Sequence, residues 1–294
     1  MLLTKFTRNF YVLAAILLAP AAWAMPSFVT YEGVSDTAAG LTATRDAFRT
    51  AIGGGTIAGA NGSFGGLRRE INWDGVPNSL ADPTALPADF FNVNSPRGVV
   101  FGTPGTGFMV SANAGGAQAI NFGFSSDFTT FSAQRLFAAI NSNITDVFFR
   151  LPGTSTAATT TAFGLIFTDI EVAGQTKLEF FDAMDTLIYS HYALTTGNMG
   201  LGFLGATVTD GAISRVRITA GQNKILANGL LENPNDDVVA MDDFIYAEPT
   251  VSISVPEPSI LALLGISLIG LKLVRRRRCG NGADRPATVL QLRT

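Results

Sequence analysis

The sequence predicts an all-β protein, a jelly-roll-like β-sandwich with one short N-terminal helix, set between two terminal segments concerned with transport. Three observations lead there. Eight runs of strand length, divided by turn residues, follow one another from Ile120 to Tyr246. One helical face occurs, early in the chain, and an apolar stretch at each end is set apart by charge or proline.

The first segment has Lys5 and Arg8 ahead of an apolar run, Phe10 to Leu18, and then Ala22, Trp23, Ala24 in a small-x-small arrangement. A spanning helix needs about 20 apolar residues. The run is too short for that, so residues 1–24 read as a signal peptide cut by signal peptidase after Ala24. The exported domain then occupies residues 25–250.

Within it, TATRDAFRTAIGG from Thr42 to Gly54 is expected to form the helix, with Ala47, Phe48, Ala51 and Ile52 on one face and Gly53 as the stop. Glycine crowds residues 53–66, and Pro77, Pro83, Pro87, Pro96 and Pro104 follow, so loops with short strands are expected there. The expected strands beyond are Ile120–Phe124, Thr145–Arg150, Ala162–Ile170, Lys177–Asp182, Thr186–Tyr192, Gly200–Thr207, Ile213–Thr219 and Val238–Tyr246. Sheet-on-sheet packing is the economical way to bury so many strands without further helices.

Residues 251–278 carry the second transport segment. Val255, Pro256, Glu257 and Pro258 make an extended joint, because proline disfavours both helix and ladder. Ser259 to Val274 follow as an apolar helix, short for a bilayer, and Arg275, Arg276, Arg277 and Arg278 hold its far end in the cytoplasm. Residues 279–294 form a cytoplasmic tail containing Cys279, the single cysteine. The exported domain therefore has no disulfide and depends on its core.

The order of VPEP, short apolar helix and arginine cluster resembles the PEP-CTERM sorting signal of exosortase substrates. That resemblance implies transient anchoring in the inner membrane, processing by an exosortase, and delivery to the cell surface or extracellular matrix, in a setting of secreted exopolysaccharide. The tail beyond the arginines is longer than is usual for such signals. LRREINWDGVP, SPRGVVFGTPGTGF and MDDFIYAEP resemble stretches of a group of exported bacterial proteins of unassigned activity.

The whole chain carries −3, but residues 25–258 hold 11 basic against 22 acidic residues, a balance of −11. Nucleic acid is excluded as a partner held by charge. His191, the single histidine, rules out metal sites built from several histidines and is read as structural. The glycine-rich stretch lacks the GK[ST] ending of a phosphate loop. Two candidate sites remain. Arg69, Asn72, Trp73 and Asp74 offer an aromatic face with polar neighbours, which suits a polysaccharide; the commoner reading of the same residues is a strand with a buried tryptophan and an Asp74-Gly75 turn. Glu32 with Asp242 or Asp243 is a candidate calcium set. Adjacent residues on a strand face opposite ways, so neither Asp236-Asp237 nor Asp242-Asp243 is expected to form a catalytic pair. No catalytic residue or cofactor is expected, and the body is read as noncatalytic, with a matrix protein lacking a small ligand and a polysaccharide-cleaving enzyme as alternatives.

Overall fold

The computed structural model describes residues 26–112, 122, 124 and 126–251. The signal peptide, most of the expected strand 120–124, the VPEP joint, the apolar helix, the arginines and the cytoplasmic tail lie outside them. Among the described residues no helix is long and apolar enough to cross a membrane.

Thirteen strands are described: β1 (Ser27–Ser35), β2 (Ser63–Phe64), β3 (Arg68–Ile71), β4 (Val99–Gly102), β5 (Gly107–Val110), β6 (Phe137–Ile140), β7 (Ile144–Phe149), β8 (Ala162–Thr168), β9 (Lys177–Phe181), β10 (Leu187–Tyr192), β11 (Leu201–Thr209), β12 (Arg215–Thr219) and β13 (Ala240–Ala247). The helices are α1 (Ala38–Ile52) and α2 (Phe90–Val93). Two antiparallel sheets form a sandwich. The eight-stranded sheet runs β1-β11-β8-β13-β3-β2, with β6 joining β13 and β5 joining β6; the five-stranded sheet runs β10-β9-β12-β7-β4.

Between the sheets lies an aromatic core. Leu165, Phe167, Phe244 and Tyr246 of one sheet meet Val147, Phe149, Leu178, Phe180, Val216 and Ile218 of the other, all buried. The period-two alternation of β12 explains its part: Val216 and Ile218 turn inward while Arg217 turns out. At one side the sheets are joined by polar contacts between β1 and β10. Thr30 Oγ1 lies 2.9 Å from Tyr189 Oη, and His191 Nε2 lies 2.9 Å from Glu32 Oε2. The histidine is thus an edge clamp.

The outer face of the eight-stranded sheet is covered by α1. Thr37 caps the helix by accepting from the Gly40 N–H, and Gly53, at φ 81°, ends it with its N–H on Arg49 O. Leu41 and Phe48, two turns apart, are buried against the sheet. Phe48 packs on Tyr31 and Phe203 at ring distances of 5.5 and 5.4 Å. The glycine pair Gly164 and Gly205, opposite each other on β8 and β11, makes that approach possible, since a Cβ at Gly164 would stand 3.1 Å from the Phe48 ring and 2.8 Å from Phe203.

Chain entry and exit share one end of this sheet. Ser27 pairs with Thr209, Val208 N–H bonds Thr161 O, and Thr159 and Thr250 exchange backbone hydrogen bonds of 2.8 and 2.9 Å. Order is therefore kept by hydrogen bonding up to Thr250.

Candidate functional site

Trp73 follows β3 and points into the core. It is 1 % exposed, stacks on Phe137 at 4.0 Å, meets Phe91 and Phe244 edge-on, and donates its Nε1–H to Asp242 O at 3.1 Å. A sugar-stacking role is corrected by that burial, because no ring face is left for a ligand. Arg69 is likewise committed: it donates to both oxygens of Glu248, to Asn61 O and to Pro96 O. Asn72 is exposed, and Asp74 Oδ1 accepts from Gln134 N. The four expected glycan contacts make a turn and an anchor, with Val76 N–H closing on Trp73 O.

The calcium set is also corrected. Glu32 on β1 is separated from β13 by β11 and β8, about 14 Å at the usual strand spacing, and its carboxylate faces His191. The lone pairs of Asp242 are already taken: Oδ2 accepts from Phe131 N at 2.6 Å and Ser132 N at 3.2 Å, and Oδ1 from Ser132 Oγ at 2.9 Å. Three carboxylates that do not converge cannot share an ion.

Asp242 and Asp243 nevertheless come together, against the expectation from strand alternation. Met241 pairs with Phe167 and Phe244 with Leu165, so two residues of β13 oppose one of β8. This is a β-bulge, which turns successive side chains toward the same face. It sits where β13 changes its second partner from β6 to β3. Both carboxyls end up beneath the 131–132 segment, fully or nearly buried, and Asp243 Oδ1 has no hydrogen-bond partner among the described residues. Burial, reinforced by Asp243, pushes Asp242 well above the carboxylate range; burial pushes Asp243 up to about 6. Alongside, Glu70 accepts from Arg49 Nε and Arg68 Nε, both at 2.8 Å, in a largely buried ionic cluster. An open depression of about 430 Å³ lies against Arg49 and Arg68, but Arg68 also spends its remaining donors on Gly53 O and Gly55 O.

A third acidic group could hold a metal. Asp169, Glu171 and Asp237 place one oxygen each within 4.8 Å of one another. Such hard oxygen donors suit calcium in kind, though a calcium site takes six to eight. Asp237 accepts from Glu171 N and Val172 N, and Asp169 from Met199 N. Burial raises Asp237, and raises Asp169 to about 7.

The outward face of the five-stranded sheet is different in kind. Register sets Ser190, Glu179, Arg217 and Asp146 side by side across four strands, with Tyr192 beside Lys177 in the next row. Asp146 accepts from Arg215 Nη1 at 2.9 Å and from Arg217 Nε and Nη2 at 2.9 and 2.8 Å. Arg215 also contacts Asp185 and stacks on Phe181, its guanidinium 3.7 Å from the ring centroid. Lys177 bonds Glu179 at 2.8 Å and lies 5.7 Å from the Tyr192 ring. Tyr192 is 53 % exposed and the Arg217 side chain 38 %. Sequence reading passed over these residues because their only signal is period-two alternation, which marks an outward face without saying what it meets.

A comparison with curated proteins returned no match. A family model does match the C-terminal segment, over residues 254–278, beginning four residues beyond the last backbone pair of the sandwich. These residues constitute a PEP-CTERM protein-sorting motif; the chain is an exosortase substrate, and PEP-CTERM proteins are exported and sorted to the cell surface.

Proposed function

We propose that the exported body is a noncatalytic protein of the cell surface or extracellular matrix that associates with extracellular polysaccharide. The observation that carries this reading is the placement of chain entry and exit at one end of the sandwich, with Ser27 opposite Thr209 and Thr250 bridged to Thr159. The outward face of the five-stranded sheet, which no helix covers among the described residues, is then the face a matrix partner could meet. The noncatalytic part is supported by the acids. Glycoside hydrolysis needs two carboxyl groups flanking a bound sugar. The one pair brought together by the bulge, Asp242 and Asp243, is sealed under Phe131 and Ser132 with donors on its oxygens.

Matrix fractions from wild-type cells and from cells lacking exosortase activity test the reading. The wild-type matrix should contain protein that begins near Met25 and lacks Arg275 to Arg278, co-sedimenting with polysaccharide, while the other cells keep an unprocessed membrane form. Matrix protein that still bears the arginines, or that parts from the polysaccharide in mild salt, contradicts it.

A further inference from the structure

We propose that the outward face of the five-stranded sheet, centred on Arg217 and Tyr192, is the surface that binds polysaccharide, and that its ligand is a neutral hexose chain; this rests on the reading of the body as a noncatalytic surface protein.

The argument begins with charge. The exported body carries −11, so a polyanion approaching at random is repelled. On this face the charges cancel locally: Lys177, Arg215 and Arg217 stand against Glu179, Asp146 and Asp185, three cations with three carboxylates. A neutral chain meets no net repulsion there, whereas an anionic chain meets the exposed Asp185 carboxylate as well as the field of the whole body. Shape and chemistry agree with charge. Neighbouring strands lie about 4.8 Å apart, comparable with one pyranose ring, so the exposed Ser190 of β10 and Arg217 of β12, two strands apart, present polar groups about two sugar spacings from one another. Guanidinium and carboxylate edges suit hydroxyl groups, which both donate and accept. The exposed Tyr192 ring on one flank offers apolar surface for the C–H face of a sugar.

The ion pairs also fix the geometry in advance. Asp146 holds Arg217 by two bonds and Arg215 by a third, and Phe181 supports Arg215 from beneath, so these long side chains lose little further freedom on binding. The buried alternative, Trp73, has no surface to offer.

Affinity electrophoresis of the mature released protein tests the proposal, using gels that contain hydroxyethyl cellulose, laminarin or galactomannan as neutral probes and alginate as the anionic one. At least one neutral probe should retard the wild type and alginate should not. The double variant Tyr192→Ala with Arg217→Ala should bind at least tenfold more weakly, while Ile57→Ser, at an exposed position on another part of the surface, should bind like wild type. Thermal melting of each variant checks that loss of binding is not loss of fold. Retardation by none of the neutral probes, retention by alginate, or undiminished binding by the folded double variant overturns the proposal. New reducing ends in the neutral polysaccharide would instead overturn the noncatalytic reading and leave the location of the surface standing.

Discussion

The two sheets carry similar charged residues on their outer faces and treat them in opposite ways. Over the eight-stranded sheet, α1 and the 131–132 segment cover Glu70, Arg68, Asp242 and Asp243; over the five-stranded sheet, Arg217 and Tyr192 stay in reach of water. Covered charge must be paired or neutralised, because desolvation of an unpaired ion costs several kcal/mol. The covered face accordingly shows guanidiniums with their donors taken, and aspartic acids, Asp242 and Asp243, whose pKa burial raises. Open charge costs little and contributes little, which leaves it available to a partner.

The largest expected effect is on the covered side. Trp73→Ala removes the ring that Phe91, Phe137 and Phe244 pack around, and should lower unfolding free energy by about 3–5 kcal/mol in urea titration. Next, Glu70→Ala leaves Arg49 and Arg68 facing each other without their shared carboxylate, and should cost about 3 kcal/mol by the same measurement.

The third prediction concerns pH. Burial raises the folded pKa of Asp243 to about 6 and of Asp169 to about 7, so both are held protonated at pH values where the unfolded chain has ionised them. The associated stability is present below the unfolded carboxylate range and is lost as pH rises through 6 to 7. The urea midpoint should therefore fall between pH 5 and pH 8. Asp243→Asn, which keeps a hydrogen-bonding group and removes the charge, should flatten that fall by about 1–2 kcal/mol over this pH range. An unchanged slope in this variant would break the comparison, since it would mean the covered acids are not strained by their burial. Smallest of all, Arg217→Ala on the open face should change stability by less than about 1 kcal/mol.

How much of this was legible in the sequence follows the same division. Helix α1 was expected from Thr42 and begins at Ala38, because Thr37 supplies a cap that apolar periodicity does not register. Seven of the expected strands, from 145–150 to 238–246, match β7 to β13 within a few residues, since alternation and turn residues both mark them. Strand β1 was not expected: Phe28, Thr30 and Glu32 lie on the side toward β10 at a sheet edge, and a threonine and an exposed glutamate on that side hide the period. The bulge at Asp242 and Asp243 was illegible for a deeper reason. Whether two adjacent residues face the same way depends on where β13 exchanges β6 for β3, which is a fact about pairing. Trp73 was ambiguous because an exposed platform and a buried strand share the pattern, and only Phe137 stacked on the ring decides it. The sorting tail was plain, since its signal lies in local composition and order.

The contrast between covered and open charge can be read directly by arginine footprinting. The mature protein is treated with a dicarbonyl reagent, with and without the neutral polysaccharide that retards it, and modification is followed residue by residue by peptide mass spectrometry. The account predicts rapid modification of Arg217, slow modification of Arg49 and Arg68, and protection of Arg217 by the polysaccharide. Modification of Arg68 as fast as Arg217, or no protection of Arg217 by the bound polysaccharide, would contradict it.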